Sequence, residues 1–237
     1  MGRYCTLVTA SVFLGALAFA QDSVTITTSP RLTARPVSAL LQQFRTREGI
    51  AVTYEDPRYS KRSDMDEKPA TFTYTRQELH SPDGAEVVIA RMLRGYGANG
   101  GLTFRVVRDG PRLHVVTSEG LNPAGARIHQ DPILDTLINL PPRRRTGSQL
   151  LQEICDQIKE QTGYRVDIGP GDAGLHDYTT MGIENQPASA AFEKVWDNLT
   201  SPGTFVWDLY YDPADGGYGL NFSYVGAAAR PPKKKAK

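Results

Sequence analysis

Three acidic residues and a histidine in one stretch rich in Gly and Pro are the best candidates for binding a metal ion. They are Asp167, Asp172, His176 and Asp177. Carboxylate oxygens are the donors that hard cations such as Ca²⁺ prefer. The stretch lacks the regular alternation of ligands found in a calcium loop, so we interpret these residues as solvated turn residues. The sequence therefore predicts neither a bound metal nor a cofactor.

The other histidines and turn aspartates carry no metal-binding pattern. His80, His114 and His129 are scattered along the chain without the spacing of metal ligands. Asp212 and Asp215 lie between two aromatic-rich segments, where a hairpin turn explains them better than a calcium loop.

Nucleophilic chemistry is also not indicated. Cys155 lies on the same apolar helical stripe as Leu151, Ile154 and Ile158, so we interpret it as a small buried hydrophobic residue. The chain contains no Gly-x-Ser-x-Gly elbow and no Gly-rich phosphate loop that precedes a helix. The chain is therefore predicted not to be an enzyme.

Binding residues are instead predicted in the last hairpin. Alternation places alternate residues of 204–211 in a core and turns Val206 and Tyr210 the other way. Val206, Tyr210, Asn221 and Ser223 are the candidate binding residues. Val206 and Tyr210 either contact a peptide or glycan or pack on another part of the chain, and the sequence leaves both open. Residues 220–225 are the candidate free edge strand.

The candidate residues belong to a chain that contains an internal repeat. Leu40 corresponds to Ile154, Phe44 to Ile158 and Gly49 to Gly163, and later positions correspond in the same way. Each repeat is long enough for a small core of its own.

Each repeat reads as strand, helix, strand, strand, helix and hairpin. The α+β class follows, as two tandem two-layer sandwiches of order β-α-β-β-α-β-β, each with one open sheet face. The predicted first helix of each repeat ends at Gly49 or Gly163. Arg143, Arg144 and Arg145 are predicted in a solvated turn before the third helix. The predicted elements are strands 24–28, 71–75, 133–140, 164–168 and 178–184, a short strand around 52–54, helices from 36, 82–95, 148–162 and 187–199, and hairpins 102–117 and 204–225.

A short phrase in the second repeat resembles a known domain family. Residues 183–192 read Ile-Glu-Asn-Gln-Pro-Ala-Ser-Ala-Ala-Phe, and residues 150–166 carry a matching first helix and strand. These patterns are similar to the short N-terminal domains of secretins and TonB-dependent receptors. The first repeat matches this pattern in its first half. At residues 79–84, however, it lacks the Asn-x-Pro motif that the second repeat has at residues 185–187. The resemblance implies an interaction module of the cell envelope.

The two ends indicate export. Arg3 precedes an apolar run that closes with Ala18-Phe19-Ala20, which predicts a signal peptide over residues 1–20. The run is shorter than the ~18 residues of a membrane span. The remaining predicted divisions are module one at 21–117, a linker at 118–131, module two at 132–226 and a disordered basic tail at 227–237.

Charge and cysteine content narrow the class of protein. The chain has 27 Lys and Arg residues against 26 Asp and Glu residues, which argues against a nucleic-acid-binding face. Loss of the leader leaves Cys155 alone, so no intramolecular disulfide is expected.

We therefore predict a periplasmic or secreted protein that binds other envelope proteins by edge-strand addition, without nucleic acid and without stable membrane insertion. The alternative is a metal-dependent glycan binder or hydrolase centred on residues 167–177. The partner and the oligomeric state stay open.

Overall fold

The computed structural model describes residues 22–28, 35–65, 70–169, 175–198 and 204–225. The predicted leader, the basic tail and Asp172 lie outside these ranges. The described residues form an α+β fold, as predicted.

The first repeat has the predicted order of elements, with one additional short helix. Its elements are β1 (Ser23–Thr27), α1 (Pro36–Glu48), β2 (Val52–Glu55), β3 (Thr71–Thr75), α2 (Arg76–Leu79), α3 (Gly84–Ala98), β4 (Phe104–Asp109) and β5 (Arg112–Thr117).

A small hairpin occupies the predicted linker. It consists of β6 (Glu119–Leu121) and β7 (Arg127–His129), joined by a turn in which Asn122 accepts hydrogen bonds from two backbone N–H groups. Pro123 and Gly125, two of the residues that indicated a linker, lie in this turn, whereas Gly120 lies in β6.

The second repeat has the same order again. Its elements are β8 (Leu137–Thr146), α4 (Gly147–Thr162), β9 (Val166–Ile168), β10 (Tyr178–Pro187), α5 (Ala188–Asp197), β11 (Thr204–Asp212) and β12 (Gly217–Val225).

The helix boundaries follow local sequence signals. Gly49 and Gly163 end α1 and α4 in the left-handed region, with φ of 68° and 80°. Glycine reaches this conformation without the steric cost that a Cβ imposes. At the other end of α4, Thr146 and Gln149 form a capping box.

Three strands from each repeat join one six-stranded sheet of order β4-β5-β2-β11-β12-β9. Each repeat contributes three consecutive strands, and β2 pairs with β11 in parallel at the junction. Two separate sheets were expected. The sheets merge because pairing β2 with β11 satisfies backbone groups that two isolated sheets would each leave at an edge.

The two repeats are related by a half-turn about an axis that lies in the sheet and runs perpendicular to the strands, combined with a shift along that axis. Strand β4 runs antiparallel to β2, through β5, whereas its counterpart β11 runs parallel to β2. A rotation that reverses strand direction in this way also exchanges the two faces of the sheet. The helices of the two repeats should therefore lie on opposite faces.

Side-chain contacts confirm this layering. Tyr210 of β11 bonds to Ser38 on α1, whereas Phe205 of the same strand stacks on Trp196 of α5 at 4.5 Å between ring centroids. Even and odd residues of a strand face opposite sides. Helix α1 thus packs on one face and α5 on the other. Strand pairs β1-β3 and β8-β10 form separate two-stranded sheets next to the helices of their own repeats.

Arg143, Arg144 and Arg145 lie in strand β8, whereas a solvated turn was predicted for them. Residues 143–145 pair with β10, and Arg145 is 2% exposed, bonded to the carbonyl groups of Pro141 and Met181. Proline lacks a backbone donor, so Pro141 and Pro142 interrupt a regular ladder. A register shift in the pairing with β10 accommodates both prolines.

Candidate functional site

The predicted binding residues Val206 and Tyr210 lie between the two repeats. Val206 is fully buried. The Tyr210 hydroxyl lies 2.7 Å from Ser38 Oγ, and the Arg35 guanidinium sits 4.8 Å from the centre of the tyrosine ring. Of the two possibilities that the sequence left open, the structure shows packing on the other repeat for Tyr210, whereas Val206 is buried.

The other two predicted binding residues are on the surface. Asn221 and Ser223 of β12 are exposed. They pair with Asp208 and Val206 in register, so they point toward the same face as Tyr210. The structure thus separates the four predicted residues into an inner pair, in which Val206 is buried and Tyr210 is half-buried, and an exposed pair.

The outer half of β12 is an unpaired strand edge among the described residues. Strand β9 pairs only with residues 218–220 of β12, and residues 221–225 pair on one side alone, with β11. We call residues 221–225 the bare edge. Within the part of the chain that the structure describes, the edge predicted at 220–225 is free only from Asn221 onward, because Leu220 is paired with Ile168.

Main-chain direction along the bare edge follows from two hydrogen bonds. Tyr218 N donates to Arg165 O, and Leu220 O accepts from Gly169 N, so both residues turn their backbone groups away from β11. Backbone groups alternate in direction along a strand. Phe222 and Tyr224 therefore direct their N–H and C=O groups outward, whereas Asn221 and Ser223 direct theirs toward β11.

Uncharged aromatic side chains line the bare edge. Phe222 lies 4.3 Å from Trp196 between ring centroids, and Tyr224 contacts Phe205. Tyr224 is 38% exposed. An edge that lacks charge and proline has none of the usual features that discourage strand addition.

The opposite end of the sheet is a protected edge. Strand β4 carries Arg105, Arg108 and Asp109 among its six residues. Arg108 forms an ion pair with Glu86 at 2.9 Å. Charged side chains on an edge strand discourage pairing with another chain.

The aspartates of residues 167–177 do not converge on a site within the described residues. Asp167 forms an ion pair with Arg165 at 2.7 Å, and Asp177 is exposed. Asp212 accepts a hydrogen bond from Ala214 N within the turn of the last hairpin. The interpretation of Asp212 as a turn residue is confirmed.

Cys155 is a core residue, as predicted. Its side chain is 2% exposed, and burial raises the pKa of its thiol to about 12. The thiolate, which is the reactive form, is therefore scarce at neutral pH.

A cluster of polar residues lies at the junction of the repeats, and the sequence did not predict it. We call it the junction cluster, and its members are Asp109, Arg112, His114, Glu193 and Asp197. Arg112 contacts both carboxylates from α5, with a distance of 3.3 Å to Glu193 and 2.5 Å to Asp197. It also donates to Phe205 O.

His114 and Glu193 are buried members of the junction cluster, as is Arg112. His114 Nδ1 lies 2.7 Å from Thr53 Oγ1, and the imidazole stacks on Trp207 at 5.6 Å. Burial lowers the pKa of His114 to about 4 and raises the pKa of Glu193 to about 7. The imidazole is therefore neutral at physiological pH.

The sequence could have indicated only half of this cluster. Arg112 and His114 alternate within a β-branched segment, which places two polar side chains on one face of a strand. Their partners Glu193 and Asp197 come from the other repeat, and only the half-turn between the repeats brings them together.

Comparison with known proteins gives no family for this chain. No protein-family model, no curated protein and no solved structure matches it. No helix within the described residues is long and apolar enough to cross a membrane.

Proposed function

We propose that this chain is an exported binding protein of the cell envelope that captures a partner by strand addition. The bare edge of β12 is the observation that carries the proposal. The resemblance to secretin and TonB-receptor N-terminal domains and the leader-like N-terminus support the location.

The bare edge defines the partner's chemistry. A partner strand would bond to the outward backbone groups of Phe222 and Tyr224. Alternate side chains of that strand would then lie beside Tyr224 on one face and beside Asn221 and Ser223 on the other. An extended segment that alternates apolar and small polar residues fits this surface.

A photocrosslinking experiment identifies the partner in its native setting. A photoreactive amino acid replaces Tyr224 in one variant and Arg108, on the protected edge, in another. We expect crosslinks to one envelope protein from position 224 and none to that protein from position 108. Equal crosslinking from both positions would count against a site at the bare edge.

Two substitutions at Tyr224 then separate main-chain from side-chain binding. Tyr224→Pro removes an outward N–H, whereas Tyr224→Ala keeps it and removes only the ring. We expect Pro to weaken binding of the identified segment at least tenfold and Ala to weaken it less. Circular dichroism and thermal melting establish that both variants fold.

The choice of residue 224 follows from backbone direction. Asn221 directs its N–H toward β11, so proline there would break the hairpin itself. Arg108→Pro is the matched control, because it also removes an outward N–H, but on the protected edge. Loss of binding in Arg108→Pro, or full binding in Tyr224→Pro, would contradict the proposal.

A further inference from the structure

Two buried polar atoms in the junction cluster face each other without a hydrogen bond. His114 Nε2 and Glu193 Oε1 lie 3.4 Å apart, and neither has a hydrogen-bond partner among the described residues. His114 is 6% exposed and Glu193 is 8% exposed. A buried polar atom without a partner destabilises the fold, so this pair requires a physical explanation.

The separation of these atoms matches two ligands of one metal ion. Zinc binds imidazole nitrogen and carboxylate oxygen at about 2.0–2.2 Å, which puts neighbouring ligands of a tetrahedral ion about 3.3–3.6 Å apart. His114 Nε2 and Glu193 Oε1 are already at this distance.

A third ligand and an entry path lie beside the pair. One ligand atom each of Asp109, His114 and Glu193 lies within 4.8 Å of the other two. Asp109 is exposed at the end of β4, so its carboxylate can rotate toward the pair, and an ion can enter from solvent on this side.

The charges of the junction cluster also suit a divalent cation. A carboxylate that binds a metal is ionised, so in the occupied site Asp109, Glu193 and Asp197 carry three negative charges against the single positive charge of Arg112, while His114 is neutral. One divalent ion balances this sum. Arg112 contacts Glu193 through Oε2, which leaves Oε1 for the metal.

Thr53 completes the arrangement around the histidine. A metal on Nε2 requires the proton on Nδ1, which then donates to Thr53 Oγ1 at 2.7 Å. Metal-binding histidines usually donate their second N–H to such a partner, which fixes the ring. The stacked Trp207 ring restrains the same imidazole.

We propose that Asp109, His114 and Glu193 bind one divalent transition-metal ion of the zinc class across the two repeats, with water in the fourth position. The imidazole selects against Ca²⁺ and Mg²⁺, which prefer oxygen ligands. The ion connects β4 and β5 of the first repeat to α5 of the second.

Calorimetric titration of the metal-free mature chain with Zn²⁺ tests the site. We expect one equivalent to bind and thermal stability to rise with it, whereas Ca²⁺ and Mg²⁺ leave both unchanged. Spectra with Co²⁺ in place of zinc report the coordination geometry. Absence of saturable Zn²⁺ binding would overturn the proposal.

Variants locate the bound ion. Asp109→Asn changes an exposed side chain, so it keeps the fold, and it should weaken Zn²⁺ binding at least tenfold. His114→Gln should abolish binding. The matched control is His129→Gln, since His129 is an exposed histidine 3.1 Å from Asp131. Unchanged affinity in Asp109→Asn, or loss of binding in His129→Gln, would place the ion elsewhere and refute the site.

Discussion

Arg45 of the first repeat and Asp208 of the second form a bidentate ion pair, with both N···O distances at 2.5 Å. The two side chains are 6% and 13% exposed. Arg45 also donates to Val52 O on β2, next to the strand that carries Asp208. The pair therefore fastens α1 to the junction between β2 and β11.

Removal of one partner of this pair should destabilise the whole protein. Arg45→Ala leaves the Asp208 carboxylate largely buried without its cation, which costs about 3–5 kcal/mol of unfolding free energy. Chemical denaturation measures this loss. Arg165→Ala is the matched control, because both members of the Arg165–Asp167 pair are largely exposed, at 52% and 59%, and the pair should contribute less than about 1 kcal/mol. The second partner of Arg165, Asp215, is 64% exposed as well. Equal effects of both substitutions would contradict the role of Arg45.

Glu55 should make stability depend on pH. Burial raises the pKa of Glu55 to about 8 from an ordinary value of 4.5. The folded protein therefore holds a proton that the unfolded chain loses, so the free energy of unfolding falls as pH rises through this window. Glu55→Gln removes the titration and keeps an acceptor for Ile133 N, which lies 2.5 Å from Glu55 Oε1.

Urea denaturation from about pH 5 to about pH 8 measures the difference. We expect the two proteins to be closest at the acidic end and Glu55→Gln to gain relative stability toward the alkaline end. Glu78→Gln serves as the control, because hydrogen bonds from Arg91 and Thr75 lower the pKa of Glu78 to about 2. Parallel pH profiles for wild type and Glu55→Gln would show that Glu55 does not titrate in this range.

Cys155 should be inert and sensitive to added charge. Thiol reagents should label it only as fast as the protein unfolds. Cys155→Ala should cost about 1–2 kcal/mol, whereas Cys155→Asp should destabilise the second repeat strongly, because it buries a carboxyl group in the core. Rapid labelling of the native protein would contradict the buried position.

The leader should be removed on export. The small-x-small pattern at Ala18 and Ala20 predicts cleavage after Ala20, so the mature chain should begin at Gln21. Mass spectrometry of exported protein checks this mass. An exported chain that still carries residues 1–20 would instead indicate an uncleaved anchor.

The local part of the fold was predictable because each helix carries its own signals. The apolar stripe of α4 and its end at Gly163 are local properties, and the repeat supplied the same evidence twice. The order of elements in both repeats therefore follows from sequence alone.

The arrangement of the sheet was not predictable, because it depends on distant partners. Thr53 and Glu55 alternate with apolar residues, so β2 resembles a strand with one solvent-facing side. Both are buried, Thr53 against His114 and Glu55 against the N–H group of Ile133. Nothing adjacent in the sequence indicates these contacts.

The candidate site was predictable where it depends on local sequence and not where it depends on contacts between the repeats. The exposure of Asn221 and Ser223 follows from alternation within one hairpin. The contact of Tyr210 with Ser38 depends on a helix from the other repeat, and so does the meeting of His114 with Glu193.

The half-turn between the repeats makes the sheet an open, directional array. Strand β9 occupies in the second repeat the place that β2 has in the first, and β4 occupies the place of β11. Strand β9 of one molecule could therefore pair with β4 of another in the way that β2 pairs with β11. Such a head-to-tail contact is heterologous and would extend the sheet without closing into a ring. Strand β9 is only three residues long, whereas β4 carries charges. A short edge at one end and a charged edge at the other limit growth into fibres.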